Sequence, residues 1–224
     1  QYIPMTYQIK LRALLSPAEH RVFKKLDSPQ HIQDYLEALP QNFSRSREGS
    51  CRSVRRIVAE GKAYCLEGAV LAAASLAYHG SPPLLLDIKT TDHDEEHVVA
   101  LFKDGGRWGA ISKTNHPVLR WRDPVYKSVR ELAMSYFNEY FLWQNGEKTM
   151  YSHSRAFGLH RYHPSRWVTT ESSLEWLADA LDRAPHSPVA PAGIIKTKLR
   201  KASKIERAVL ELEEWSRTGR RTMF

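Results

Sequence analysis

Residues 65–77 read CLEGAVLAAASLA, a run that is apolar and rich in alanine after its single acidic residue. Alanine and leucine are strong helix formers, so the run predicts a buried helix that begins at or near Cys65. A thiol at a helix N-terminus lies close to unpaired backbone N–H groups and to the positive end of the helix dipole, which favour the thiolate. Cys65 is therefore a candidate nucleophile. The alternative is a structural cysteine that packs as a small hydrophobe.

The composition is that of a globular chain with a substantial core. It has 224 residues, of which 42% are hydrophobic, and a net charge of +8. No window approaches the roughly 18 apolar residues of a membrane span, and the first residues carry no signal-peptide pattern. Cys51 and Cys65 are the only cysteines. We expect two free thiols in a reducing compartment and a cytoplasmic location, with a disulfide between them as the alternative.

Start and stop signals divide the chain into an α+β pattern. Ser16 and Ser28 each precede a proline, as at helix N-termini, and Gly61 suits the end of a helix through residues 54–58. Alternating apolar residues then predict an antiparallel meander that packs on the Cys65 helix. The other predicted elements are a strand over 84–88, strands over 97–102 and 107–112 around a loop at 103–106, a helix over 125–141, loops and short strands over 148–170, and a helix from Ser172 or Ser173 to Leu181.

Prolines and charge suggest three parts of unequal size. Residues 1–184 are predicted to form the main domain, and prolines and glycine over 185–197 indicate a linker. Residues 198–224 are basic and carry apolar residues at near-helical spacing, which predicts an amphipathic C-terminal helix and a tail. A basic tail can contact nucleic acid, but no nucleic-acid motif accompanies it, so we expect no nucleic-acid partner and interpret the charge as a solvated face.

The hairpin suggests a partner for the thiol. If residues 103–106 form the loop, Phe102 pairs with Arg107 and His97 faces Ser112 on the next strand. Directly opposed side chains have Cβ atoms about 4.5–5.5 Å apart, so Ser112 is placed to orient the His97 ring. Asn115 reaches the ring only if the chain bends. Nucleophilic thiol catalysis needs such a base and such an orienter, although a histidine at a strand end can also be an ordinary polar residue.

These motifs occur in a recognisable order. A helix opens with YCLEGA at 64–69, GSPP at 80–83 leads into a strand, and His97 begins a hairpin whose second strand holds Trp108. Over residues 54–116 this order resembles the transglutaminase-like superfamily. The whole chain is similar to a bacterial group of such proteins of unassigned function. The resemblance implies an α+β, papain-like core, with the cysteine-bearing helix packed on an antiparallel sheet and further helices at its flanks.

The resemblance also implies roles for individual residues. Cys65 matches the family nucleophile and His97 the family base, whereas Ser112 stands where the family has an aspartate, four residues after Trp108. Ser112 accepts an imidazole N–H but carries no charge, and Asn115 is a second neutral orienter, as in Cys-His-Asn sites. The implied activity is amide or peptide hydrolysis, or transamidation, through a Cys65 thioester on a peptide, protein or small amide substrate. The alternative is a binding or scaffold protein that is impaired in catalysis.

Other polar and aromatic residues have weaker claims. Tyr64, Glu67 and Trp108 are candidates for a substrate cleft, although Glu67 also suits helix capping and tryptophan also suits a core. His93 and His97 are four residues apart in a loop that enters a strand, and His153, His160 and His163 fit no zinc spacing. We therefore expect no metal, no cofactor and no membrane partner, and the sequence predicts no oligomeric state.

Overall fold

Nine helices and seven strands occupy residues 5–43 and 51–213, which are the residues described by the computed structural model. The helices are α1 Met5–Ala13, α2 Pro17–Lys25, α3 Pro29–Ala38, α4 Val54–Glu60, α5 Cys65–Tyr78, α6 Val129–Tyr136, α7 Glu175–Asp182, α8 Ala192–Thr197 and α9 Lys204–Ala208. The strands are β1 Leu84–Thr90, β2 His97–Asp104, β3 Arg107–Ile111, β4 Arg122–Tyr126, β5 Met150–Ser154, β6 Phe157–Gly158 and β7 His186–Pro188.

The strands form one antiparallel sheet in the order β4-β3-β2-β1-β5-β7, and β6 pairs with the start of β1. The α+β class and the antiparallel meander are therefore confirmed. None of the helices in the two described ranges is long and apolar enough to cross a membrane.

The two faces of the sheet pack against different helices. On β2, Val98 and Ala100 belong to the core cluster that contains α5, whereas Val99 and Leu101 belong to the cluster that contains α6. This division follows from the alternation of side chains along a strand. Every residue of α5 after Cys65 is buried, so the predicted central helix is confirmed.

Local signals fix the ends of the first helices. Ser16 accepts the N–H of Glu19, whose side chain binds the Ser16 N–H in return, and Ser28 accepts the N–H of His31. Helix α4 ends at Gly61, whose φ of 64° favours glycine. The predicted helix starts and the predicted stop are confirmed.

The hairpin between β2 and β3 is tighter than predicted. Asp104 pairs with Arg107, so the loop is Gly105-Gly106 and not residues 103–106. Both glycines have positive φ, which a two-residue turn requires and which glycine adopts without strain. The predicted pairing is wrong by two residues. Because that slip is even, His97 and Ser112 keep the same face, but they are diagonal neighbours and not directly opposed.

Three predicted segments differ in detail. The helix predicted over 125–141 is α6 followed by a 3-10 turn, and its first residues belong to β4. Helix α7 begins at Glu175, after the N-terminal cap Leu174, and the Glu175 N–H donates to the hydroxyl of Ser173, one of the two predicted starting residues, at 3.3 Å. Residues 185–197, predicted as a linker, contain β7, which pairs with β5, and the short helix α8.

The C-terminal part is less regular than predicted. Within residues 198–213 the structure has the short helix α9 and a 3-10 turn, and not one long helix. The rest of that predicted helix and tail, residues 214–224, lies outside the described residues. The division into domains at 184 and 198 stays a prediction.

Candidate active site

Cys65 is the first residue of α5, as the sequence predicts, and the residue as a whole is half-buried. The backbone N–H groups of Leu66 and Val98 interact with the thiol, which places it against the start of β2. Gly68 allows the first turn of α5 to lie close to Lys113, because a Cβ atom at position 68 would lie 2.2 Å from the Lys113 Cβ. The first turn of α5 therefore packs directly on the segment that follows β3.

Glu67 organises the backbone around the thiol. Its carboxylate accepts the N–H groups of Tyr64 (3.1 Å) and Arg52 (3.0 Å) and the side-chain amide of Asn42 (3.1 Å). The Arg52 guanidinium lies 3.6 Å from the same carboxylate. Glu67 is completely buried. The carboxylate thus serves the capping role that the sequence also allows, and the assignment of Glu67 to a substrate cleft stays a prediction.

The two other cleft candidates lie differently. Tyr64 is half-buried next to Cys65 and its hydroxyl contacts the Cys51 thiol. Trp108 pairs with Lys103 near the hairpin turn, and the Lys103 ammonium covers its ring at 4.4 Å. Four residues of strand, roughly 13 Å, separate Trp108 from Ser112. Tyr64 is thus adjacent to the thiol, whereas Trp108 lies near the hairpin turn, and the assignment of both residues to a substrate cleft stays a prediction.

The His97 ring is held by a relay of two hydrogen bonds that connects His97, Ser112 and Leu119. Its Nε2 atom lies 2.8 Å from Ser112 Oγ, and that hydroxyl donates to the Leu119 carbonyl at 2.8 Å. With its hydrogen directed to Leu119, the Ser112 hydroxyl accepts from the ring, which assigns the ring proton to Nε2. The Nδ1 atom of His97 is then the basic nitrogen.

Helix α3 fixes the position of Ser112. The Gln33 side chain accepts the Ser112 N–H at 2.9 Å and donates to the Ser112 carbonyl at 3.0 Å. Both residues are buried. Gln33 and Leu119 were not predicted to belong to the site. Asn115, the second predicted orienter, is half-buried three residues beyond Ser112, and the ring's hydrogen bond goes to Ser112.

Burial keeps both reactive groups neutral. It raises the pKa of the Cys65 thiol to about 11, despite the N–H groups of Val98 and Leu66, and the charges of Asp87 and Glu67 raise it further. Burial also lowers the pKa of His97 to about 4, although the Leu119 carbonyl favours the protonated ring. The sequence predicts a thiol inclined to ionise. In the resting structure burial outweighs the helix N-terminus.

The thiol and the ring approach β2 from different sides. Val98 points towards α5, and alternation places His97 with Val99 on the side of α6. The positive charge of Arg122, which packs on the α6 residue Tyr136, also acts on His97. Within the described ranges no hydrogen bond joins the thiol to the ring. The structure therefore brings His97 to Ser112, and Cys65 to the backbone beside His97.

A buried charged group on the α5 side was missed by the sequence analysis. Asp87 is the β1 partner of Val98, and its carboxylate lies 3.1 Å from His186 Nε2 and 3.4 Å from Lys89 Nζ. The other His186 nitrogen lies 2.7 Å from the Ala184 carbonyl. The available signal was two charged residues at alternating positions of an otherwise apolar strand. Their histidine partner lay in the segment interpreted as a linker.

Both cysteines are free thiols, as predicted, and Cys51 is buried. Among the described residues no group of three or more histidine, cysteine, aspartate or glutamate side chains is arranged to hold a metal ion. No protein-family model matches the chain, and no curated protein matches it. A functional assignment therefore depends on the geometry of these side chains.

Proposed function

We propose that the chain is a thiol-dependent acyl-transfer enzyme that forms a thioester on Cys65 from an amide or ester carbonyl. The observation that carries this proposal is the juxtaposition at the start of β2. The thiol contacts the Val98 N–H, and the preceding residue is a histidine whose Nε2–H is bound to Ser112. A nucleophile, a candidate base and an orienting hydroxyl thus lie around one turn of helix and one strand end, with the thiol and the ring on different sides of β2.

The proposed reaction has two steps. As the Cys65 sulfur attacks the carbonyl carbon, His97 Nδ1 takes the thiol proton, and it returns that proton to the leaving amine when the C–N bond breaks. Water or a second amine then attacks the thioester, with His97 accepting its proton and protonating the departing sulfur. The backbone N–H of Cys65 would help to hold the oxyanion. No cofactor takes part.

The proposal requires that the His97 ring or the Cys65 thiol move before the two can react. The His97 ring and the thiol share no hydrogen bond, so one of them must turn when substrate binds. Catalytic hydrogen bonds are often absent or long in unliganded enzymes and form only in the complex. His97 is the first residue of β2, where it pairs with Ile88, and its buried ring is bound to Ser112. Movement of the ring towards the thiol therefore has to break the hydrogen bond to Ser112.

The fold proposed for this site is transglutaminase-like and papain-like. An antiparallel sheet with a cysteine-bearing helix packed on its second strand supports that assignment. Ser112 occupies the place of the family aspartate, so the imidazolium formed during the reaction would lack a charged partner, and turnover would be slow. The expected substrates are peptides, proteins or small amides. Two free thiols fit a reducing, cytoplasmic location, which we also propose.

A non-catalytic binding or scaffold role is the second candidate. The observation that favours it is the neutral resting pair, in which the pKa of Cys65 is about 11 and that of His97 is about 4, with no hydrogen bond between them. A site of this kind can persist as a structural remnant. The two functions differ in whether Cys65 becomes acylated.

A thiol-directed acyl probe separates these functions. We expect the wild type and Cys51→Ala to form a covalent acyl adduct, detected by intact mass, and Cys65→Ala to form none. His97→Ala should slow acylation at least about 100-fold, the usual range for loss of a general base. His186→Ala tests the alternative base, since that ring is bound to Asp87 on the α5 side, where the thiol also lies.

Three results would overturn the proposal. Cys65 could remain unmodified under conditions in which a small-molecule thiol is acylated, or His97→Ala could leave the rate unchanged. If His186→Ala alone abolished acylation, the base would be His186, and the role assigned to His97 would be wrong.

A further inference from the structure

A partly open cavity of about 560 Å³ lies beside the C-terminal end of α7. Residues of the turn between β5 and β6, of the turn that follows β6, and of the α7–β7 connection line it. Three of these residues are arginines, namely Arg155, Arg161 and Arg183, and none is acidic. The cavity is separate from the Cys65 site and does not depend on the function proposed for it.

The arginine side chains are not neutralised by the protein. Arg155 and Arg183 are exposed, and within residues 5–43 and 51–213 their guanidinium groups form no ion pair and no hydrogen bond. Arg161 uses only its Nε atom, which donates to the Gly158 carbonyl at 2.9 Å. The nearest acid in sequence, Asp182, is already bound to Lys89. Three guanidinium groups thus face one cavity with their charge uncompensated.

The aromatic wall of the cavity consists of Phe157 and Tyr162, and Trp176 supports it from outside the lining. Phe157 and Tyr162 stack with ring centres 6.4 Å apart, and Trp176 packs edge-on against Tyr162 at 4.9 Å. The Arg161 guanidinium lies over the Phe157 ring at 4.6 Å, which orients this arginine. A planar group held on an aromatic face loses less freedom when it binds a ligand. The wall therefore favours binding by arginine at this position.

We propose that this cavity binds the phosphoryl group of a small molecule, with a diphosphate as the best match. Guanidinium groups bind phosphate through paired N–H donors, and three of them match the several negative charges of a diphosphate. The volume lies within the range of about 300–1,000 Å³ that is usual for small-molecule sites. It exceeds the volume of a diphosphate alone, so an organic portion fits as well.

Titration calorimetry with inorganic pyrophosphate tests this assignment at constant ionic strength. The wild type should bind, and Arg155→Ala with Arg183→Ala should weaken the affinity about tenfold or more, as expected for lost charge-assisted hydrogen bonds. Arg107→Ala is the matched control, because Arg107, the first residue of β3, is also an exposed arginine. It should leave the affinity unchanged. Unchanged thermal unfolding of the double variant would show that its fold is intact.

Citrate provides the comparison that separates phosphate from carboxylate. We expect pyrophosphate to bind at least about tenfold more tightly than citrate, and binding to weaken as salt increases. Absence of pyrophosphate binding to the wild type at concentrations up to about 1 mM would overturn the site. Equal affinity of the double variant would also overturn it, and tighter binding of citrate would overturn the phosphate assignment.

Discussion

The His97 Nε2 atom lies 2.8 Å from the Ser112 hydroxyl oxygen, and both side chains are buried. This hydrogen bond fixes which ring nitrogen is basic, because Ser112 gives its own hydrogen to the Leu119 carbonyl. The relay is the most constrained part of the site. Its consequences for activity and stability can be measured separately.

Ser112→Ala should impair both catalysis and folding. The ring loses the acceptor that selects its tautomer, and the Leu119 carbonyl loses its donor, so we expect kcat to fall about 10- to 100-fold and stability to fall by about 1–3 kcal/mol. Ser75→Ala is the control, since Ser75 is also buried and donates to a backbone carbonyl, that of Leu71, at 3.0 Å. Steady-state kinetics and urea unfolding of both variants provide the measurement. An equal loss of kcat in the two variants would contradict the relay.

The buried His97 should make the protein less stable in mild acid. Its pKa is about 4 when folded against roughly 6.5 when unfolded, so below pH 6.5 the unfolded chain binds a proton that the folded ring refuses. Stability therefore falls as the pH decreases from about 6.5 to 4, and this one group accounts for about 2 kcal/mol between pH 7.5 and pH 5. Urea unfolding at both pH values should show a smaller loss for His97→Gln. Identical losses would mean that His97 is not a buried neutral ring.

Alkylation should show that the Cys65 thiol ionises only at high pH. With its pKa raised to about 11 by burial, Cys65 should react with iodoacetamide at a rate that still increases above pH 9. Cys51 should react more slowly, because it is buried and its pKa is raised to about 12. Asp87→Asn should lower the pKa of Cys65, since the Asp87 charge raises it. Peptide mass spectrometry across pH measures this, and a wild-type plateau below pH 8 would refute it.

Gly68→Ala should disturb the approach of α5 to the segment after β3. The new Cβ would lie 2.2 Å from the Lys113 Cβ and 3.6 Å from its Cα, so the helix start must shift away from the neighbouring Ser112. We expect a loss of about 1–3 kcal/mol and reduced acylation of Cys65. Gly193→Ala is the control, because a Cβ there meets nothing within 4 Å. Thermal unfolding and the acyl-probe rate measure both effects, and a neutral Gly68→Ala would contradict the close packing.

Local chemistry explains which features were predictable. Ser16 and Gly61 mark helix ends through interactions with residues a few positions away in the sequence. The apolar run after Cys65 is compatible only with a buried helix. The hairpin register was missed because a Gly-Gly pair supports a shorter turn than a polar four-residue loop. The proximity of His97 and Ser112 persisted because the error of two residues preserves the face of the strand.

The missed parts of the site involve residues far apart in sequence. His186 and Asp87 are 99 positions apart, and Gln33 and Ser112 are 79 apart. No periodicity or spacing connects such pairs, because the connection exists only after the sheet is assembled. The raised pKa of Cys65 could not be predicted from the sequence either, since it depends on how deeply the folded protein buries the thiol.

The pair of hydrogen bonds between Gln33 and the Ser112 backbone makes α3 a part of the framework of this site. A fragment that began at residue 54 would retain Cys65, His97 and Ser112. It would lack Gln33, the only side chain among the described residues that binds both the N–H and the carbonyl of Ser112. The N-terminal helices are therefore a part of the site's framework and not a detachable addition. Any attempt to transplant the thiol and the ring into another protein must carry α3 with them.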